Sequence, residues 1–413
     1  MEIKFKKIAS ELESRIASGK AGERLPSESR LAREFNTSGI TIRKALDELH
    51  ARGMIRRAPR VGTFIGERKK KKFRMAFLNN GLFGNVFSEL SALLEQRFES
   101  FSFEFERVSE RDDLKGMDLM VATANTVFPL SFSDDLTPFP AGFMKQFFTH
   151  EYFSLPFEAY RNRGLHFGLP VLFSPSLLRI NAGVPNWPGN RPFTLEALEF
   201  LAKQRQGPRR FLWSRDTAFY LLRCGLFSFA DASRRLHSVK FSEAKSTLDR
   251  LFRLITPEII CNSDDQVLLH RHFRQNDPPP EPSQIVTYPT AINDLAGEYL
   301  LLPGTFRHSD ETLEVAAWFL SAEFQNRLAD IRYGIPILKT AAMDSFVPCA
   351  GADELFLREM GNSLTNNASE FDFLRRLRVL VNALASGEMT PSSALSAVSY
   401  EIDMTKRQEK EEV

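Results

Sequence analysis

Leu25-Pro26-Ser27-Glu28-Ser29-Arg30-Leu31-Ala32, followed by Thr37-Ser38-Gly39-Ile40-Thr41-Ile42-Arg43-Lys44-Ala45-Leu46, decides how the front of this chain folds. The two stretches read as short helices joined by a tight polar turn, the second with basic residues near its start. Pro26 fixes φ, and Ser27 is a good N-cap for a helix from about Glu28 to Phe35 whose inner face is Leu31, Ala32 and Phe35. Asn36 and Thr37 make the turn. A short Gly-containing loop between helices of this size is a helix-turn-helix signature. Ser38 caps the next helix, where Ile42, Ala45, Leu46 and Leu49 point to the core and Gly39, Ile40, Arg43, Lys44 and Asp47 are left outside.

The flanks complete a small domain. Phe5, Ile8, Ala9, Leu12 and Ile16 recur at helical spacing, and Gly19 and Gly22 end that helix. After Gly53, Met54 to Arg57 reads as a strand, Ala58 to Gly62 as a turn and Thr63 to Ile65 as the returning strand, which together form a basic β-hairpin wing. This order of elements points to duplex DNA. Arg43 offers a fork of donors to guanine O6 and N7 in the major groove, and Lys44 suits a phosphate. The hydroxyls of Ser27, Ser38 and Thr41 lie near helix N-termini, where phosphate oxygens are favoured. Arg60 and Gly62 give the wing tip a minor-groove approach, since Gly lacks a Cβ and Arg favours a narrow groove. The candidate DNA contacts are Ser27, Arg30, Ser38, Gly39, Thr41, Arg43, Lys44, Arg60, Gly62 and Thr63.

These residues resemble the GntR family of winged-helix transcription regulators, whose pattern is close to Leu-Pro-Ser-Glu-Arg-x-Leu-Ala, Ser-Arg-x-Thr-Val-Arg-x-Ala-Leu and Gly-x-Gly-Thr-Phe. The match falls on Leu25 to Glu28, Leu31-Ala32, Ser38, Thr41, Arg43, Ala45-Leu46 and Gly62-Thr63-Phe64. Ser29 stands where the family usually has Arg, with Arg30 one position on, and Gly39 stands where it has the Arg after the capping Ser. The resemblance implies binding to double-stranded operator DNA as a homodimer, at an operator unlike the commonest family sites.

Charge separates this front module from the rest. Residues 1–72 hold 19 Lys and Arg against 9 Asp and Glu, a net +10, while the remainder holds 35 against 43, a net −8. Only the first part is suited to a polyanion. With 413 residues, two or three domains are expected. The expected division is a winged helix-turn-helix domain over 1–66, a basic linker over 67–72 (too charged to pack) and an effector domain over 73–413. Three cysteines without a Cys-x-x-Cys pair, no apolar leader and no apolar run of membrane-spanning length point to a reducing cytoplasm and no membrane partner.

From Phe73 onward strands and helices alternate. Arg74 to Leu78, Phe101 to Val108 and Asp118 to Ala122 read as strands and Phe87 to Phe98 as a helix, so an α/β domain with a parallel sheet is expected. Gly168-Leu169-Pro170 with the strand Leu177 to Asn181, Pro192-Phe193-Thr194-Leu195-Glu196-Ala197-Leu198, and Trp318 to Gln325 with Gly334-Ile335-Pro336 resemble segments of the bacterial extracellular solute-binding proteins of the two-lobed, periplasmic type 2 fold. That resemblance implies two α/β lobes closing by a hinge on a small-molecule effector, with sugars among the common ligands. Trp213 is either an aromatic platform for a sugar or a core residue. Asn79 and Asn125 follow strands, where cleft-lining groups belong, and Tyr288 and Arg332 complete the candidate effector contacts; Trp187 is a candidate rim residue and Trp318 reads as core. Glu354 to Met360 and Glu370 to Leu384 read as helices, and Met404 to Val413 as a frayed charged end.

No nucleophile elbow, phosphate loop or dinucleotide fingerprint occurs, so no enzyme activity and no cofactor are expected. His270 and His272 read as solvated polarity rather than a metal site. The alternative is a fused pyridoxal phosphate-dependent aminotransferase-like domain. Lys339 is its best-placed lysine, in a context that lacks the flanking pattern of that branch.

Overall fold

A computed structural model describes residues 4–412 apart from 20–21, 60, 67–69, 79–86, 109–113, 124–134, 159–160, 182–192, 204–212, 262–268, 275–282, 291, 307–308, 332–333, 347–352 and 366–369. The chain divides into two compact units, Met1–Phe73 with Phe87–Glu104, and Arg74–Val86 with Phe105–Val413.

The first unit opens with α1 (Lys4–Ser18), α2 (Glu28–Glu34), α3 (Gly39–Ala51) and the antiparallel hairpin of β1 (Ile55–Ala58) and β2 (Gly62–Ile65). The apolar residues spaced along the sequence meet in one core: Ile8, Ala9, Leu12 and Ile16 of α1, Leu31 of α2, Ile42, Ala45, Leu46 and Leu49 of α3, and Ile55 and Ile65 of the hairpin. Ser27 and Ser38 cap α2 and α3, accepting hydrogen bonds from the backbone N–H of Arg30 and Thr41. The left-handed position in the turn is Asn36, at φ 43°, a residue type that tolerates this conformation. Gly39 instead opens α3. The wing gains a third edge from residues 22–25, because Leu25 N donates to Thr63 O at 2.8 Å and Ile65 N to Glu23 O at 2.8 Å.

Lys71 and Lys72, expected in the linker, begin β3 (Lys71–Leu78) instead. Backbone and charge both draw them into the strand: Lys71 N donates to Ser100 O at 2.9 Å, and Lys72 Nζ pairs with Glu104 at 2.5 Å. Past α4 (Phe87–Arg97) and at the start of β4 (Phe101–Val108), Phe73, Phe98, Phe101 and Phe103 pack their rings together.

The second unit is built on two sheets. Its further strands are β5 (Leu119–Thr123), β6 (Gly168–Pro175), β7 (Leu177–Asn181), β8 (Trp213–Ser214), β9 (Ile260–Cys261), β10 (Leu269–His272), β11 (Ser283–Val286), β12 (Asn293–Pro303) and β13 (Ile335–Pro336). The first sheet has the order β13-β6-β12-β5-β3-β4 and the second β9-β8-β10-β7-β11. The expectation of a parallel sheet is corrected to a mixed one. β3 and β5 are parallel, but β12 runs antiparallel to both β5 and β6. The cause is the crossing: β6 leaves for the second sheet, where it continues as β7, and β12 returns from β11, so strands that leave and strands that return must oppose one another.

Helices α5 (Leu195–Lys203), α6 (Arg215–Phe227) and α7 (Phe241–Leu254) pack with the second sheet. α8 (Asp310–Trp318), α9 (Ala322–Ile331), α10 (Lys339–Ser345) and α11 (Asp353–Glu359) follow, then α12 (Phe371–Ala385) and α13 (Pro391–Glu412). Residues Thr217–Phe227 of α6 are all buried, as a helix surrounded by protein requires. α13 corrects the expectation of a frayed end: it continues to Glu412, held by an Arg376–Glu401 ion pair at 2.7 Å and by Lys406 Nζ on Val239 O at 3.0 Å. Among the described residues no helix is long and apolar enough to cross a membrane.

Candidate nucleic-acid interface and inter-sheet crossing

In the first unit the expected contacts lie on α2 and α3, at their N-caps and in the wing. Ser27, Arg30, Ser38, Gly39, Arg43 and Lys44 are exposed, and Thr41, Gly62 and Thr63 are half-buried. Arg60 lies outside the described residues. Gly62 has φ 141°, a backbone region that only glycine enters readily, so the wing turn itself requires it. Arg43 is not a free fork: its Nε and Nη2 donate to Glu28 Oε2 at 3.2 and 3.1 Å. Glu28 also lies 3.6 Å from Arg57 Nη2, and Arg57 Nη1 pairs with Asp47 at 2.6 Å. This chain of alternating charges ties α2, α3 and β1 together. Sequence spacing does not expose it, since residues 28, 43 and 57 fall within no common helical or strand period. An ion pair this exposed contributes at most about 1 kcal/mol, so a base or phosphate can displace Glu28 from Arg43 at little cost. Arg30 and Lys44 have no ion pair among the described residues.

The second unit carries its buried charge where the chain passes between its sheets. Ser176 joins β6 to β7, and residues 287–292 join β11 to β12. The first crossing bonds to the second and to the strand after it: the hydroxyls of Ser176 and Tyr288 lie 3.1 Å apart, and Ser176 N donates to Asp294 O, near the start of β12, at 2.7 Å. Arg271, near the end of β10, gathers them. Its guanidinium donates to Ser176 Oγ (3.2 Å), Asp216 (3.1 Å) and Asp294 (2.8 Å) and lies 3.3 Å over the Tyr220 ring. Arg223, 1% exposed, pairs with the other oxygen of Asp294 and donates to Thr365 O at 2.9 Å. Burial pushes the Asp294 carboxyl up, and the two guanidiniums pull it down. Burial likewise pushes the Tyr288 hydroxyl and the Cys224 thiol up, so neither ionises near neutrality.

Arg274, two residues beyond β10, fastens the same region to the first sheet. Its side chain donates to Asp353 (3.1 Å), Gly334 O (2.7 Å) and Ser345 O (2.7 Å), and its N–H to Ser174 Oγ (3.0 Å). Three arginines thus cross-link the crossing segments.

Of the expected effector contacts, Asn79, Asn125 and Arg332 lie outside the described residues, as does Trp187. Trp213 is 0% exposed and packs in the core of the second sheet and its helices; this is the core reading, and no ring face is open to a sugar. Tyr288 is buried as well, its hydroxyl against that of Ser176 at the crossing. Trp318 is core, its Nε1 donating to Glu323 at 3.1 Å. Lys339 Nζ donates to His150 O at 2.7 Å. His272 is buried rather than solvated, and burial, with the charge of Arg179, lowers its pKa to about 4. Among the described residues no three His, Cys, Asp or Glu side chains are grouped to hold a metal ion.

The family model for bacterial regulatory proteins, gntR family, matches residues 4–65. In structure the chain is similar to an ABC substrate-binding protein from Listeria monocytogenes in complex with cycloalternan, at 12% identity and a TM-score of 0.62, covering 82% of this chain and 99% of that one. It is similar also to an ABC transporter solute-binding protein from Thermotoga lettingae bound with alpha-D-tagatose (13% identity, TM-score 0.64, covering 81% and 99%). Maltose-bound MalE3 from T. maritima gives 16% identity and a TM-score of 0.62, again covering 81% and 99%. The fold of the second part is therefore that of solute-binding proteins, and an aminotransferase-like domain does not describe it. The chain carries a GntR-type helix-turn-helix domain, the mark of a transcription regulator, followed by a domain with the fold of solute-binding proteins.

Proposed function

We propose that this regulator senses a small solute: its solute-binding-like domain takes up an effector, with carbohydrate the leading class, and occupancy alters operator binding by the winged helix. The observation that carries the proposal is the pairing of the two domains in one chain, together with a crossing region where buried arginines join both sheets. A ligand that binds one sheet arrangement better than another shifts the balance between them by that difference in affinity. The proposed division is a DNA-binding domain over 1–66, a link over 67–70 and an effector domain that begins with β3 at Lys71. Ser27, Arg30, Ser38, Gly39, Thr41, Arg43, Lys44, Arg60, Gly62 and Thr63 make the DNA contacts, and Asn79, Asn125 and Arg332 belong to the effector site. The protein works in the cytoplasm as a homodimer on a near-palindromic operator, half-site spacing following its two-fold symmetry. It acts by binding, not catalysis.

Thermal-shift screening against a panel of mono- and oligosaccharides tests the effector clause. A rise of several degrees for one class, with a matching change in DNA affinity, supports it. A flat response to every sugar removes carbohydrate from the reading. A ligand that stabilises the protein and leaves DNA affinity unchanged removes the coupling.

A further inference from the structure

The outer face of α3 carries a group that the DNA reading has not used. Ile40 is 68% exposed, more than any other large apolar side chain among the described residues. It stands at the second position of the helix. The buried residues Ile42, Ala45, Leu46 and Leu49 fix the inner face, and at 100° per residue Ile40 falls opposite them, on the line that continues through Lys44, Asp47 and Ala51. Its neighbour Gly39 is equally telling. Gly39 is not among the residues with positive φ, and a Cβ built there would meet nothing within 4 Å. The protein's own packing and backbone therefore do not call for glycine at this position. The bare backbone leaves room for a surface from outside the chain.

The polar groups around this turn are largely engaged with one another. Ser38 and Thr41 share a hydrogen bond between hydroxyls at 2.9 Å, Arg43 is held by Glu28, and Asp47 is neutralised by Arg57. What the helix end presents is an uncovered isoleucine beside a residue without a side chain. The major-groove edge of DNA offers one apolar group to such a surface, the C5 methyl of thymine.

We infer that Ile40 is a specificity-determining residue that reads thymine methyl groups, with Gly39 allowing the N-terminal turn of α3 to close on the base edges. The inference rests on the DNA-binding reading of the first unit and adds a commitment to sequence content: each half-site contains a thymine in contact with Ile40.

The test begins with selection of operator duplexes from a random library by the full chain. Each thymine of the selected site is then replaced by deoxyuridine, which lacks only the methyl group. Fluorescence anisotropy should show a loss of about fourfold at one or two positions per half-site, the expected scale for one methyl-sized apolar contact. Ile40→Ala should bind the selected site more weakly and be indifferent to deoxyuridine at those positions. Its melting temperature should stay close to the parent's, because the side chain is mostly exposed. Gly39→Ala should weaken specific binding without lowering helix content, since Ala favours a helix. Enrichment of a sequence with no deoxyuridine penalty anywhere in it overturns this inference alone. A chain that enriches no sequence overturns the DNA-binding reading and this inference together.

Discussion

Replacing Asp294 by Ala removes the carboxylate shared by two arginines at the crossing. Arg223 is almost wholly buried; its remaining described hydrogen-bond partner is the carbonyl of Thr365, and the nearby Glu370 carboxylate acts on it less strongly than Asp294 does. Arg271 keeps Asp216 and Ser176 and its place on the Tyr220 ring, so Arg223 bears most of the loss. A buried charge stripped of its counter-ion costs about 3–5 kcal/mol. The pair Arg378–Asp216, 3.4 Å apart with both side chains about half exposed, gives the contrast: Arg378→Ala should cost no more than about 1 kcal/mol. All three tryptophans lie beyond residue 180, so urea unfolding followed by tryptophan fluorescence reports on the second unit. The Asp294→Ala midpoint should fall by about 1 M or more and the Arg378→Ala midpoint should barely move. Replacing Arg223 by Met and Asp294 by Leu together should recover at least half of the loss, because an apolar pair needs no charge compensation. A loss below about 1 kcal/mol for Asp294→Ala would refute the description of the crossing as a buried charge cross-link.

Other consequences are separately measurable. His272 has a folded pKa lowered to about 4, against about 6.5 when unfolded. The unfolded chain therefore binds the extra proton first, and on the order of 3 kcal/mol of stability present above pH 6.5 is lost as pH falls towards 4. Urea midpoints at pH 7 and pH 4.5 should show a smaller acid loss in His272→Gln than in the parent, and an equal loss would contradict this. Lys44→Ala should weaken binding to all duplexes alike and reduce the salt slope by about one counter-ion, and an effect confined to one sequence would move Lys44 from phosphate to base. Gly62→Ala forces a side chain into φ 141°, at a cost of about 1–3 kcal/mol. Amide exchange at Leu25 and Ile65, which hold the wing's third edge, should accelerate, and unchanged exchange would show that the turn relaxes freely.

The first unit was legible because its information is local. Capping serines at 27 and 38, apolar residues at helical intervals and a hairpin around Gly62 each specify an element within a few residues. The Arg43–Glu28–Arg57–Asp47 chain was not, because it links side chains that meet only when three elements pack. In the second part the strands at 74–78, 101–108 and 118–122 stood out as apolar or alternating runs. Their directions did not, since strand sense depends on where the chain crosses between sheets. Trp213 and Tyr288 illustrate the limit for sites. An aromatic residue beside a strand has the same sequence signature whether it lines a cleft or fills a core, and burial alone separates the two. The buried arginines 223, 271 and 274 at the crossing gave no sequence signal, because arginine is ordinarily a surface residue and its burial is justified only by partners distant in the chain.

Everything proposed for this chain depends on its cationic front reading duplex DNA. The most direct measurement is the affinity of the full chain for a fragment enriched from its own genomic neighbourhood, taken from 50 to 200 mM salt against a scrambled fragment of equal length. Log affinity should fall linearly with log salt for both duplexes, with a preference for the enriched one that persists across the range. Equal affinity for the two fragments, or affinity insensitive to salt, would contradict it.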